Sequence, residues 1–238
     1  MSKPSLAKLL KHGIDPNALS FEDAGERRTL LCLAIEEAVK LDNDLAKVDL
    51  LLESRADPNR RSETGSFPLM LAARHSNVKL ARKLFQAKAE VNQQDTKLVT
   101  SLHTAVHQDS AQMVQLLLMH KANVNVQDQV GQSPVFFAAS TTVIAVLLDA
   151  KADLHHLNKK GQSALHLAAH NGRHEAVVYL TDHEFLQESV DLQDERGRSP
   201  LHLAAAQGHQ LKMHNGQTPM TLADKKDTDL ALYIYTRM

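Results

Sequence analysis

One short motif recurs along the chain and constrains its fold more than any other feature of the sequence. Its clearest copies are SPVFFAA at 133–139, SALHLAA at 163–169 and SPLHLAA at 199–205. With the degenerate copies, successive starts are 38, 33, 33, 30, 36 and 19 residues apart. Self-similarity at a period of about 20–50 residues indicates a stack of repeated units, none of which buries its apolar face alone. The motif starts at residues 29, 67, 100, 133, 163, 199 and 218.

A second block of sequence follows each copy at a steady distance. It is an apolar run and then a short turn that carries small acidic or amide side chains, as in Leu50–Leu52 followed by Ala56–Asn59. Ser or Thr before Pro favours a helix start, because the hydroxyl caps the first turn and proline loses no hydrogen bond there. Gly65, Gly131 and Gly161 stand just before a motif copy, where a hairpin would turn. Each unit is therefore predicted to contain two helices, with a hairpin between successive units.

The two blocks together resemble the ankyrin repeat, which has a period of about 33 residues and the signature Thr-Pro-Leu-His-x-Ala-Ala. The resemblance covers nearly the whole chain. It implies an all-α fold, an ankyrin-repeat solenoid of stacked helix–turn–helix units joined by β-hairpin-like loops. We expect a single domain at 1–238. The implied repeats are a partial one at 1–20, then 21–58, 59–91, 92–124, 125–154 and 155–190, a truncated one at 191–213 and a C-terminal capping repeat at 214–238.

Cations stand at four positions where the ankyrin repeat has a helix-ending glycine. A left-handed backbone at a residue other than glycine costs about 1 kcal/mol, whereas a cation at a helix C-terminus gains from the helix dipole. We interpret these residues as tolerated variants that also form a row of positive charge, able to contact an acidic partner. The four are Arg55, Lys88, Lys121 and Lys151.

The repeats differ in length, and each difference carries an expectation. A surplus at 38–45 is expected to extend a helix or its turn, and the fifth repeat is short near 140–143. The sixth repeat has three extra residues near 182–188. The gap of only 19 residues between the last two motif copies predicts that one outer helix is missing. Such a loss would leave apolar side chains such as Val177 and Leu180 poorly covered.

Histidines and aspartates recur at fixed places in the repeat. The resemblance implies that the motif histidine fixes the helix start by local hydrogen bonding rather than by binding metal. The hairpin aspartates are expected to accept hydrogen bonds from turn backbone rather than to act as acids or bases. These residues are His103, His166 and His202, with Asp95, Asp128 and Asp194.

No arrangement of residues indicates catalysis, a cofactor or a metal ion. Cys32 occupies the histidine position of its repeat and is expected to be a half-buried core residue. His170 and His174 have the spacing of helical metal ligands, but Gly172 lies between them at a predicted turn. The motifs of serine hydrolases, phosphate loops and kinases are all missing from the sequence. We therefore predict no enzyme activity, no cofactor and no metal site.

Charge and cysteine content limit which partners and which compartments fit the sequence. The net charge is −1, from 27 basic and 28 acidic residues, which disfavours a nucleic-acid partner. One cysteine cannot form an intrachain disulfide, which fits a reducing compartment, and the first ten residues do not resemble a secretory signal. No segment has the roughly 20 apolar residues of a membrane helix. We expect a monomer in the cytoplasm or the nucleus.

The resemblance also implies a partner-binding surface, which we name the concave strip. It is formed by the hairpin tips and by the exposed ends of the inner helices, and its mixture of charge and imidazole suits recognition of another protein. Two further interpretations stay open, namely the recognition part of a larger enzyme and a nucleic-acid-associated regulator. The strip comprises Arg74, His75, Thr96, Lys97, His107, Gln108, Gln129, Val130, Lys159, Lys160, His170, Asn171, Glu195 and Arg196.

Overall fold

The structure is a computed structural model that describes residues 3–21, 27–41, 44–182 and 190–207. Within these ranges the chain forms short α-helices, one 3-10 helix and one two-stranded antiparallel ribbon. The elements are α1 (Lys3–Lys11), β1 (Leu19–Phe21), β2 (Arg27–Thr29), α2 (Leu30–Lys40), α3 (Ala46–Glu53), α4 (Pro68–Arg74), α5 (Val78–Gln86), α6 (Ser101–His107), α7 (Ala111–Met119), the 3-10 helix (Pro134–Phe137), α8 (Thr141–Asp149), α9 (Ala164–His170), α10 (His174–Asp182) and α11 (Pro200–Ala206).

The helices form two layers, as the repeat predicts. In the inner layer α2, α4, α6, the 3-10 helix, α9 and α11 each contact the next, and in the outer layer α5, α7, α8 and α10 do the same. Most inner helices have only seven residues, too few to be stable alone in water. Their stability comes from a continuous core in which Leu80, Leu102 and Leu117 are at most 1% exposed. The predicted all-α solenoid is confirmed, and β1 and β2 form the first of its hairpins.

Reciprocal hydrogen bonds fix the start of three inner helices. The Ser163 hydroxyl accepts from the backbone N–H of His166, and Nδ1 of His166 accepts from the backbone N–H of Ser163. The pairs Thr100 with His103 and Ser199 with His202 repeat this capping box. Two otherwise unpaired backbone donors are satisfied in each case. The predicted local role of these histidines is confirmed.

We expect Ser163→Ala to lower the free energy of unfolding by about 1 kcal/mol, because it removes a helix cap. Ser133 is a matched control, since it occupies the same position but its buried hydroxyl has no hydrogen-bond partner in the described part of the chain. Ser133→Ala should therefore leave stability unchanged or raise it slightly. Urea unfolding of the two variants measures the difference. Equal losses would show that the hydroxyl contributes in some way other than capping.

The fifth repeat departs from the others. Its inner element is the 3-10 helix rather than an α-helix, and Ala138 after it has an extended backbone. The three missing residues leave no room for a second helical turn before Ser140 caps α8. The expected helix start at 133 is thus corrected to a single 3-10 turn. In the second repeat the surplus residues lengthen α2 to 11 residues, as expected.

Two expectations about burial are wrong. Val177 and Leu180 are each 2% exposed, because α10 packs against α9 and α8. They are well covered rather than poorly covered. Cys32 is fully rather than half-buried, at 1% exposed, and burial raises the pKa of its thiol to about 11. The extra residues of the sixth repeat lie almost wholly outside the described residues, as do the end of the seventh repeat beyond residue 207 and the last motif copy at 218.

The four helix-ending cations adopt the left-handed backbone that their position predicts. Their φ angles lie between 64° and 68°. Each carbonyl one repeat further on accepts a hydrogen bond from an asparagine amide, so that Asn59 donates to Lys88, Asn92 to Lys121 and Asn125 to Lys151. The side-chain oxygens of the same asparagines accept from the backbone N–H groups of Glu90, Asn123 and Asp153, each of which follows a cation by two residues. This asparagine ladder joins the ends of consecutive outer helices.

Candidate protein-binding surface

The hairpin tips owe their shape to one side chain each. Oδ1 of Asp95 accepts from the backbone N–H groups of the residues two and four positions further on, and Asp128 and Asp194 do the same. The expected turn role of these aspartates is confirmed. Asn158 makes the equivalent pair of hydrogen bonds in its own hairpin, although its residue type differs. A negative charge is therefore not required at this position.

Arg198 strengthens the last of these hairpins. Its guanidinium donates to Oδ2 of Asp194 at 2.8 and 3.1 Å, and that carboxylate is almost fully buried. Burial alone would raise the pKa of Asp194, but the hydrogen bonds from Arg198 and Arg196 prevail and lower it to about 2. The turn therefore keeps its charge-assisted bonds throughout the physiological pH range.

Backbone hydrogen bonds connect each hairpin tip to the next. The N–H of Gln129 donates to the carbonyl of Lys97 at 3.0 Å, and the N–H of Lys159 donates to the carbonyl of Val130 at 2.9 Å. Glu195 donates in the same way to the carbonyl of Lys160 at 3.1 Å. The tips thus form one bonded row, and the side-chain amide of Gln129 adds a bond to the carbonyl of Thr96 at 2.6 Å. The exposed tip residues are Thr96, Lys97, Gln129, Val130, Lys159, Lys160, Glu195 and Arg196.

The ends of the inner helices supply the second row of the concave strip. Arg74 ends α4 and His75 caps it, and both are exposed. His107 and Gln108 hold the same exposed positions on α6. On α9 the next pair is His170, which ends the helix, and Asn171, whose amide donates to Leu167. His170 is half-buried rather than exposed, which corrects the expectation for that residue.

The second row is interrupted at the fifth repeat. No counterpart of His107 exists there, because the 3-10 helix ends too early. Phe137 lies in this layer, half-buried, with its ring 6.3 Å from that of His107 and 5.9 Å from that of His103. Arg173 donates to the carbonyl of Phe136 at 2.9 Å. The structure therefore brings the tips together in one row but separates the imidazole pairs by an aromatic layer.

A small polar pocket adjoins the strip beside Arg74. It has a volume of about 190 Å³ and lies between α2, α4 and the hairpin before α4. Arg28 and Glu36 form an ion pair of 2.5 Å on its wall. The sequence did not reveal these two residues, because the motif copy at 29 is degenerate and the pair is eight residues apart. The pocket is lined by Arg28, Cys32, Glu36, Ser62, Thr64, Ser66, Leu71 and Arg74.

The surroundings of the histidines near this surface indicate a structural role. Burial lowers the pKa of His103 and of His166, and each Nε2 donates to a backbone carbonyl of the following repeat. His170 ends α9 and His174 begins α10, so these two residues are not on one helix. Among the residues that the structure describes, no group of three or more His, Cys, Asp or Glu side chains could hold a metal ion.

Comparison with known proteins agrees with this architecture. A family model described as ankyrin repeats in three copies matches the chain at residues 2–95, 31–128 and 135–213. The chain belongs to the ankyrin repeat family. The family resemblance drawn from the motif is thereby confirmed, and the proteins of this family in general use their repeats to bind other proteins.

Three relatives are longer proteins that contain a similar segment. The chain is 33% identical over 160 residues to human Neurogenic locus notch homolog protein 1, which covers 66% of this chain and 6% of that protein. It is 31% identical over 203 residues to dog Inversin, which covers 84% of this chain and 15% of that protein. It is 27% identical over 248 aligned positions to mouse Rabankyrin-5, which covers 95% of this chain and 20% of that protein. The chain thus spans between 6% and 20% of the length of these relatives.

None of the helices in the described ranges is long and apolar enough to cross a membrane.

Proposed function

We propose that this ankyrin-repeat chain is a non-enzymatic adaptor that holds another protein on the concave strip. The observation that carries the proposal is the bonded row of hairpin tips, in which Lys97, Val130 and Lys160 each accept a backbone hydrogen bond from the next tip. A row fixed in this way has little backbone freedom left to lose on binding. Preorganisation of this kind favours affinity, because less conformational entropy is lost in the complex.

The side chains of the strip suit a protein surface better than a nucleic acid. Lysines at two tips alternate with the uncharged Gln129 and Val130 and with Glu195, so no continuous basic stripe runs along the tips. The net charge of −1 supports the same choice. Alternating charge with exposed apolar groups is typical of the polar rim and small apolar centre of a transient protein interface. We further propose that the chain acts as a monomer in the cytoplasm or the nucleus.

The test is recovery of the partner from cells of the native source. The intact chain is used as bait beside a triple variant, Lys97→Glu, His107→Glu and Lys160→Glu. We expect the triple variant to lose the partner, because three side chains across both rows are changed to a charge that repels an acidic contact and cannot replace imidazole.

A matched control places the same substitutions elsewhere. Lys11, Lys79 and Arg82 are exposed on the outer helices α1 and α5, and changing all three to Glu alters surface charge without touching the strip. This control should recover the partner as the unaltered chain does. Retention of the partner by both variants would mean that the concave strip is the wrong surface.

A further inference from the structure

Four consecutive outer helices end in an exposed cation. Arg55, Lys88, Lys121 and Lys151 are all solvent-exposed, and none of them has an ion-pair partner within the described part of the chain. We name these four side chains the cation stripe. They lie at the C-terminal ends of α3, α5, α7 and α8, away from the inner-helix ends of the concave strip.

The asparagine ladder holds the stripe in line. The carbonyls of Arg55, Lys88, Lys121 and Lys151 each accept from the asparagine of the preceding repeat, at 3.2 to 3.4 Å. The backbone N–H of each cation also bonds to its own helix three residues earlier. Packed helices lie about 8–10 Å apart, so the backbone positions of the stripe form a fixed row with a spacing of about 10 Å.

Folding alone does not explain the choice of residue. All four cations have a left-handed backbone, which glycine adopts without strain. A cation at an exposed helix C-terminus gains from the dipole, but that gain does not exceed the cost of the left-handed conformation at a residue with a side chain. Gly13 occupies the same position after α1, which shows that glycine suits this turn in the same chain. Four departures in consecutive repeats, all to a cation, indicate a use for the charge.

We propose that the cation stripe binds an extended acidic segment of a partner protein. In the polyproline II conformation an extended chain rises about 3.1 Å per residue with three residues per turn. Every third side chain then recurs on one face at about 9 Å and can face one cation of the stripe. Carboxylates at every third position of such a segment would form four ion pairs in register with the repeats. This inference does not depend on the concave strip, since the two surfaces share no residue.

Acidic residues beside the stripe favour a protein segment over a uniform polyanion. Asp57, Glu90 and Asp153 each follow a cation by two residues, and Asp57 and Asp153 accept a local backbone hydrogen bond. A nucleic acid or an anionic membrane has closely spaced charges and would be repelled by these carboxylates. A peptide with spaced carboxylates can contact the cations with those carboxylates and place its neutral residues beside Asp57, Glu90 and Asp153.

The test uses the intact chain and a fluorescein-labelled peptide of about twelve residues, with Glu at every third position and Ser or Gly elsewhere. The quadruple variant Arg55→Gly, Lys88→Gly, Lys121→Gly and Lys151→Gly removes the stripe with a residue that fits the left-handed backbone. Exposed ion pairs contribute about 1.4- to 5-fold each to Kd, so we expect the loss of four to weaken binding by about 4- to 600-fold at low ionic strength. Its Tm should not fall, since no packed side chain is lost.

A charge-matched control changes four exposed cations off the stripe. Lys11, Lys40, Lys79 and Arg82, all changed to Gln, lower the net charge by the same amount, and this control should bind the peptide as the unaltered chain does. An equal loss in the control would overturn the proposal. So would equal binding of a peptide with its four Glu contiguous, or tighter binding of a single-stranded oligonucleotide or of phosphatidylserine vesicles. A clearly lower Tm of the glycine variant would assign the cations to helix-end stability instead. The triple variant of the concave strip should retain the peptide, which keeps the two proposals separable.

Discussion

Replacing Phe67 by serine is expected to lower the free energy of unfolding by about 3 kcal/mol, although serine caps the corresponding helix in other repeats. Phe67 is the N-cap of α4, is 0% exposed and makes no side-chain capping hydrogen bond. Removing a buried phenylalanine ring costs about 3–5 kcal/mol, whereas a new serine cap contributes only about 1 kcal/mol. Burial therefore outweighs capping at this helix start.

Phe67→Ala separates the two effects. It removes the same ring but supplies no cap, so it should be about 1 kcal/mol less stable than Phe67→Ser. Urea unfolding of both variants and of the unaltered chain gives the three free energies. A serine variant as stable as the unaltered chain would contradict the expectation, because it would mean that the cavity collapses at no cost.

Local sequence determines where the helices of this chain begin. A hydroxyl followed by proline or alanine and then by leucine specifies the first turn by itself, and α9 and α11 begin where that motif predicts. The left-handed cations follow from position in the same way, since the turn after an outer helix needs that backbone whichever residue occupies it. Such features depend on neighbours within a few residues and are visible in one sequence.

Features that depend on the next repeat are not visible in this way. The 3-10 helix arises because three missing residues shorten the path to Ser140, which Asp109 of the preceding repeat also binds through its carboxylate. The pocket wall depends on an ion pair between Arg28, in a strand, and Glu36, in a helix. Tip side chains were predicted one by one, but the backbone bonds that join them into a row follow from stacking. Packing between layers decides these features, and a repeat pattern specifies only that layers exist.

His166→Ala is expected to lower the free energy of unfolding by about 3 kcal/mol, the combined cost of a lost cap, a lost inter-repeat bond and a small cavity. The side chain is 0% exposed, and its Nε2 donates to the carbonyl of Arg198 in the next repeat at 3.1 Å. Its Nδ1 accepts from the backbone N–H of Ser163, so one ring connects two layers. His75→Ala is the control, since His75 is exposed and its loss should cost less than about 0.5 kcal/mol.

The same variant should change how stability depends on pH. Burial lowers the pKa of His166 and of His103 below the ordinary value of about 6.5, and protonating Nδ1 would also remove the acceptor that the capped N–H uses. Well above pH 6.5 both folded and unfolded states are neutral at these rings, and their full contribution is present. As pH falls below 6.5 the unfolded state takes up protons first, so stability decreases, by at most about 1.4 kcal/mol per pH unit for each ring. Urea unfolding between pH 5 and 7 should give a shallower slope for His166→Ala, with His103 contributing part of the slope that remains. An unchanged slope would mean that His166 does not titrate differently in the two states.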